Sequence, residues 1–505
     1  MNNQKEFINQ LNKEKSNYQY PSQAEDQANS LDTISDDIYS ESERFIYELI
    51  QNADDACENQ ALGVEIYIEF TPNFVIISHT GKEFSEPDIK AVSSVGSSQK
   101  TKNYNQTGYK GIGFKSVFGK SDCVYINSNG FCFRFDKEYC QKQYEHKMPW
   151  QIIPIWTDNL DNELTSSKSF GCYPVSTAIK YRNTQKLKQD LFRLFSDTQI
   201  MLFLRNVTKI IVENHNVFVV EKIKNQVSNT VTLKKNGQIQ SEWIVKDFTN
   251  IPIAEHIQAE IRKDDKMPKK LKESESTNIS FAAKIVEGEL TPIKDESIIF
   301  TYLPTKINWE FPFLVNADFL TNAAREGFHE DRVWNQWLFE IVAIGIFTWL
   351  SELAENKKYK FKITNLIPNK FHFFSSNLKR SFNQGFDSAL ENIAFIPNQE
   401  GDLLKVNEAL IDKTEIHQIV DSQLLIQHHN EQHSTDLSEK SLANKLIRGK
   451  NKLTKIGVST FEFNDLKEFL DSDLLQSNFK LEQNYELIQF LYQKATDEYT
   501  GSASQ

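Results

Sequence analysis

The chain has 505 residues, enough for about three domains that each bury a core. Hydrophobic residues make up 39% and charged residues 25%, and 57 basic against 69 acidic side chains leave a net charge of −12. This excludes a disordered chain, and the sign of the charge opposes binding of nucleic acid or anionic membrane by the surface as a whole, leaving only a local basic groove open. Aromatic residues at 12%, with 36 phenylalanines, favour ordered cores. The five cysteines (Cys57, Cys123, Cys132, Cys140, Cys172) are odd in number and form no CxxC pair, which points to a reducing compartment and away from a disulfide scaffold or zinc site. The polar start MNNQKEFINQLNKEK has no apolar core of a signal peptide, and the most apolar run, Ile341 to Phe347, falls far short of the roughly 20 residues needed to span a bilayer. The expectation is a soluble, cytoplasmic protein without a membrane partner.

In chain order, residues 1–40 read as one or two polar helices, and SERFIYELIQNADDACE (42–58) as a strongly patterned helix. Two strand-like runs follow, VEIYIEF (64–70) and FVIISH (74–79), joined by the turn signal Thr71-Pro72-Asn73. The polar stretch from Ser93 to Gly113 is too long for an ordinary connection and reads as functional or mobile. Strands are expected at DCVYIN, GFCFRFD and STAIKYR, giving an α+β sandwich with helices on one face of a mixed sheet. Past residue 200 the chain turns β-rich (KIIVENHNVFVVEKI, NTVTLKK, SEWIVKDF). The mixed-charge stretch 262–277 reads as a solvated loop without core residues. After the strands ISFAAKIV and SIIFTYLP, residues 333–353 read as a packed core helix; from 366 the chain reads as mainly helical, with a turn-like element IPNQEGDLLKV (396–406). The cluster His428, His429 and His433 reads as a solvated loop, with metal binding the alternative. Three segments follow from this, 1–200, 201–365 and 366–505. The polar end TDEYTGSASQ is compatible with a chain that is the front part of a longer one.

The chemistry is concentrated between residues 48 and 118. At about 100° per residue, Glu48, Asn52 and Asp55 form a stripe roughly 60° wide, separate from the apolar face of Ile46, Leu49, Ile50, Ala53 and Cys57. One amide and two carboxylates suit a hard cation and a water to be deprotonated. The same stripe is also what the polar side of an ordinary amphipathic helix looks like. Gly108, Gly111 and Gly113 form a GxxGxG loop ahead of an apolar segment, where backbone amides can approach phosphate and Lys110 and Lys115 add positive charge. Three glycines can equally be a turn. A Rossmann site is excluded because the loop does not follow a first strand, and a Walker A loop because GxxxxGK[ST] is absent.

These segments resemble the three nucleotide motifs of the GHKL, or Bergerat-fold, ATPases, the superfamily of DNA gyrase, heat-shock chaperones, histidine kinases and MutL. ERFIYELIQNADDA, VSSVGSSQKT and TGYKGIGFKSVF are most similar to the sacsin-type branch, specifically over about 40–120 and more loosely through VNADFLTNAAREGFHEDRVWNQWL (315–338). The resemblance implies a Bergerat two-layer sandwich, an α/β middle domain, and ATP with Mg²⁺ as cofactors. By it, Glu48 would be the general base for water and Asn52 would hold the metal. Asp55 would support the helix and the base side of the pocket. Gly108, Gly111 and Gly113 would cradle phosphates under a lid of 93–107 that includes Lys100, and Thr177 would contribute to the pocket floor. In NAAREGF, Arg325 would reach the γ-phosphate, with a plain salt-bridge arginine as the alternative. The family's second motif, DxGxG, departs here to His79-Thr80-Gly81-Lys82-Glu83. A neutral imidazole nitrogen at His79 could accept from an adenine amine, or the histidine could be structural.

The resemblance implies an ATPase, slow or partner-stimulated, that drives lid and domain closure in a chaperone-like protein; bacterial relatives of this type often sit beside phage-defence genes. The alternatives are a nucleotide-sensing scaffold without turnover and a MutL- or gyrase-like ATPase. The net charge weighs against direct nucleic-acid contact. A protein client is the expected partner, and homodimerisation is left open.

Overall fold

In a computed structural model the described residues are 2–38, 44–94, 113–119, 121–181, 184–195, 197–213, 217–225, 227–322, 326–372, 376–446, 450–479 and 483–501. The chain is mixed α/β and divides into two compact units, Met1–Ile285 with Lys294–Asn335, and Val286–Ile293 with Gln336–Gln505. The boundary expected at 200/201 falls inside the first unit.

The first unit begins with helices α1 (Asn2–Ser16), α2 (Pro21–Ile38) and α3 (Arg44–Asp55). Its strands are β1 (Val64–Phe70), β2 (Phe74–His79), β3 (Cys123–Ser128), β4 (Phe131–Asp136), β5 (Ile155–Trp156) and β6 (Val175–Lys180). They continue as β7 (Val207–Glu213), β8 (Val217–Asn225), β9 (Thr230–Lys235), β10 (Gln238–Pro252) and β11 (Ser276–Val286). After β12 (Glu289–Thr291), which lies in the second unit, come β13 (Ile298–Thr301), β14 (Leu303–Asn308) and β15 (Leu314–Ala317). One mixed sheet runs in the order β14-β13-β15-β11-β10-β9-β8-β7-β1-β2-β6-β3-β4-β5. The parallel pairing of β1 with β7 carries the sheet across residue 200, which is why that position is no boundary.

The β1–β2 connection is a tight turn, as Thr71-Pro72-Asn73 predicts, with the Thr71 amide donating to the Phe74 carbonyl at 2.9 Å. Glu163 fastens it: its carboxylate accepts from the Thr71 hydroxyl at 2.5 Å and the Asn73 amide at 3.0 Å. All six residues of β2 are buried, so both faces of this strand are covered. On one face Phe74 and Ile76 pack with Leu164, Phe170 and Ala178. The opposite face carries Val75, Ile77 and His79. Register places Ile68 and Thr177 beside Ile77, and Ile66 and Val175 beside His79. Helix α3 covers this side with Phe45, Ile46, Leu49, Ile50 and Ala53, all buried, as the helical spacing of these residues requires.

Two corrections concern polar stretches. Residues 262–277 are not a solvated loop, because Lys269–Glu273 forms a helix and Met267 and Leu271 are buried. The apolar run at 333–353 is one helix, Val333–Glu355, with both tryptophans buried as expected of a core element. It is long and apolar enough to cross a bilayer, yet 67% of its most apolar window is buried in the protein. In the second unit this helix meets another, Asn377–Asn392, at Gly385, where an added Cβ would lie 2.2 Å from the Glu340 carbonyl oxygen; only glycine permits that approach. The IPNQEGDLLKV element is a hairpin, Ile396–Pro397 against Leu403–Leu404. Buried Asn398 accepts from the Gly401 and Asp402 amides at 2.7 and 2.8 Å, and Gly401 takes a φ of +98°.

The histidine cluster is likewise no loop. It lies on the helix Ser422–His433, with His428 and His429 buried and the His429 ring tilted against that of His433 at 4.4 Å between ring centres. Burial holds both buried imidazoles below their usual pKa, His429 at about 4. His433 pairs with Asp465 at 3.0 Å. Among the described residues no group of three His, Cys, Asp or Glu could hold a metal ion.

Candidate active site

Helix α3 ends against the His79-Thr80-Gly81 turn. The Lys82 amide donates to the Ala56 carbonyl at 2.6 Å, and the Ala56 amide donates to Asn52 at 3.1 Å, so the turn extends the helix's last hydrogen bonds. Glycine is required at 81, because a Cβ there would lie 2.9 Å from the Ala56 Cβ, from its carbonyl oxygen and from His79 Nδ1. The end of the helix that carries the stripe and the second motif are therefore in direct contact. Glu48, Asn52 and Asp55 are each half-buried, in contrast to their fully buried apolar neighbours.

His79 is buried, and its Nδ1 accepts a hydrogen bond from the Gly81 amide at 3.1 Å. Burial holds the ring far below its usual pKa, at about 4, so it is neutral at physiological pH. A nitrogen that accepts from an amide is unprotonated, so the ring proton sits on Nε2. This corrects the expectation that a free ring nitrogen would accept from an amine: the remaining nitrogen is a donor. Thr177 is also buried, on the same sheet face one register step away.

Gly113 opens a short 3₁₀ segment, Gly113–Gly119, that packs against α3. Gly108, Gly111, Lys100 and Arg325 lie outside the described residues. Lys115 is described, and its direction differs from the expectation. It is buried among Phe118 and Phe135, with Nζ 5.3 and 5.4 Å from their ring centres. The amine donates to the Val92 carbonyl and, at 2.9 Å, to the Gln151 carbonyl. Burial, with nearby Lys15 adding, lowers its pKa to about 7. Its hydrogen bonds are spent on backbone rather than offered to phosphate.

Reading the sequence for charge at the groove also missed Asp54, Arg205, Tyr302 and Asp318. The buried Asp54 carboxylate accepts from the backbone amides of Arg205, Asn206 and Val207 at 3.0, 2.7 and 2.8 Å, tying α3 to the start of β7. Arg205 lies 4.5 Å from the centre of the Tyr302 ring and interacts electrostatically with Tyr302, Asp318, Asp55 and Asp54. Burial and Asp318 push the Tyr302 phenol above its usual range. Tyr302 has a φ of +64°, a conformation costing a bulky residue about 1–3 kcal/mol. It is held there by its amide, which donates to Asn316 Oδ1 at 2.6 Å. Asn335 joins Leu320, two residues after Asp318, to His329 by accepting from the Leu320 amide and donating to the Leu320 and His329 carbonyls. Electrostatic interactions thus run from Asp55 through Arg205 to Tyr302 and Asp318. Asp55, Arg205 and Tyr302 are about 100 residues apart or more in the sequence, with Asp318 a short way after Tyr302, and only the fold shows them together.

No family model matches the chain. It is 26% identical over 374 residues to Protein NO VEIN of Arabidopsis thaliana, a match that takes in 70% of this chain and 13% of that protein. The chain therefore spans only a small part of that relative's length.

Two outcomes follow from this geometry. Asp54→Ala leaves three buried amides without an acceptor, and at about 1.5–3 kcal/mol per charge-assisted bond it is expected to lower unfolding stability by at least about 3 kcal/mol, measurable in urea. Asp54→Asn, which keeps one acceptor oxygen, should lose less. Lys115 is protonated in both states below about pH 7, where its burial costs most. As pH rises from about 7 toward 10.5 the unfolded chain retains a proton that the folded chain has released, so stability rises. Lys115→Met should flatten that rise between about pH 7 and pH 9; an unchanged slope in urea midpoints would show that the amine is not desolvated as described.

Proposed function

We propose that the first unit is a GHKL-type nucleotide-binding domain of Bergerat fold that binds ATP with Mg²⁺ and hydrolyses it. The observation that carries this reading is the seating of the α3 end on the His79-Thr80-Gly81 turn, which gathers a carboxylate, an amide oxygen and a buried polar floor in one groove. The donor set fits a hard cation, since Asn52 and Asp55 offer oxygen, and burial raises the pKa of the neighbouring Cys57 thiol, which disfavours a thiolate there. When bound, Mg²⁺ would neutralise phosphate charge and orient the triphosphate. Glu48, half-buried on the same stripe, takes a proton from the attacking water. Asn52 holds the cation, while Asp55 is oriented by the charge of Arg205. His79 and Thr177 form the floor beneath the base. Arg325 approaches the γ-phosphate in the closed state, and the Asp55–Arg205–Tyr302–Asp318 chain links its loop to the groove. The activity is a slow conformational cycle serving a protein client.

A second reading, a nucleotide-sensing scaffold without turnover, is favoured by Lys115, whose inward direction removes one cation from the phosphates. Single-turnover hydrolysis of Mg·ATP separates the two. In the wild type a measurable rate is expected; Glu48→Ala should retain binding and lose at least about a hundredfold in rate, and Asn52→Ala should lose Mg²⁺-dependent binding. Wild-type binding without turnover would select the scaffold. Absence of nucleotide binding would reject both.

A further inference from the structure

His79 is the polar side chain at the sheet-side floor of the groove, and its chemistry there is fixed by its own backbone. The Gly81 amide points at Nδ1, so that nitrogen must carry the lone pair. Turning the ring over would set a C–H against the amide and lose the bond, so the orientation is fixed as well as the tautomer. The proton is left on Nε2, and no described residue accepts it. The ring is neutral at physiological pH because burial disfavours its charged form. The floor thus presents one directed N–H and, from this residue, no acceptor. The neighbours in register, Ile66 and Val175, are apolar, and the next polar group on this face, the Thr177 hydroxyl, lies beside Ile77.

We infer that the nucleotide base is read at this floor through one of its acceptors, a ring nitrogen or a carbonyl oxygen, with His79 Nε2–H as the donor. This rests on the reading of the groove as a nucleotide site and names the class of base that it takes. An exocyclic amine is a donor and cannot pair with Nε2–H, so the 6-amino group of adenine is not recognised by His79. A 6-carbonyl offers an acceptor at the same edge. The substrate class is therefore purine nucleoside triphosphates bearing an accessible acceptor, with the 6-oxo forms taken at least as readily as the 6-amino form. His79 is a specificity-determining residue through donation. Its hydrogen bond to Gly81 also explains why residue 81 must leave its amide free to point back into the turn.

The test is calorimetric titration of the full chain with Mg·ATP and Mg·ITP, which differ at the base in an amine and a carbonyl. The expected result is an affinity for ITP within about threefold of that for ATP, or tighter. His79→Asp, which replaces the donor by an acceptor, should create a preference for ATP of about tenfold or more. His79→Gln, which keeps a donor, should stay near wild type and guards against a merely misfolded aspartate variant. Long-range proton–nitrogen NMR on the free protein reads the tautomer directly, with Nδ1 expected bare and Nε2 protonated. A wild-type preference for ATP above about tenfold overturns the inference while leaving the site reading intact, and so does a proton found on Nδ1. Failure of both triphosphates to bind removes the site reading itself and the inference with it.

Discussion

The groove depends on how the fold deals with two adjacent carboxylates at the wrong end of a helix. Asp54 and Asp55 close α3, where the partial negative charge of the helix dipole disfavours them by roughly 0.3–1 kcal/mol each. Asp54 is compensated by three backbone amides at the entry to β7, interactions worth several times that cost. Asp55 is compensated by the field of Arg205. The helix end is thereby clamped to the sheet, and the polar stripe of Glu48 and Asn52 is held on a rigid element rather than on a fraying terminus.

The same solution extends the site's reach. Arg205 stands over the Tyr302 ring and also feels the charges of Asp318, Asp55 and Asp54. A change in charge at Asp55 therefore alters the field at the Arg205 guanidinium that Tyr302 and Asp318 share. The strained backbone of Tyr302 belongs to this arrangement, since its amide and its ring are each held by a partner. Arg205 is the member that all of these interactions share, linking Asp54 and Asp55 at the end of α3 to Tyr302 and Asp318.

Much of this was legible in the chain and some was not. The α3 face, the β1–β2 hairpin with its Thr71-Pro72-Asn73 turn and the buried helix at 333–355 follow from local periodicity and turn chemistry, which the residues carry themselves. The role of Asp54 was hidden because its acceptor geometry is completed by amides some 150 residues away. Lys115 was misdirected for a related reason: adjacency to glycines suggests charge offered to a ligand, whereas its stem packs on Phe118 and Phe135 and draws the amine to backbone carbonyls. The His428–His433 cluster and residues 262–277 were read as solvated from polarity alone. Two imidazoles in the first, and Met267 and Leu271 among the charges of the second, are nonetheless buried. His79 shows the limit most plainly, since its residue type permits donor or acceptor and only the Gly81 amide decides.

The central claim is that a nucleotide sits between the α3 stripe and the His79-Thr80-Gly81 turn. Amide hydrogen exchange with and without Mg²⁺ and a slowly hydrolysed ATP analogue tests it most directly. The account predicts that protection concentrates in residues 44–56 and 79–83, reflecting the shared helix end and turn, and that it is lost without Mg²⁺. Protection confined to other segments, or none in these two, would contradict it.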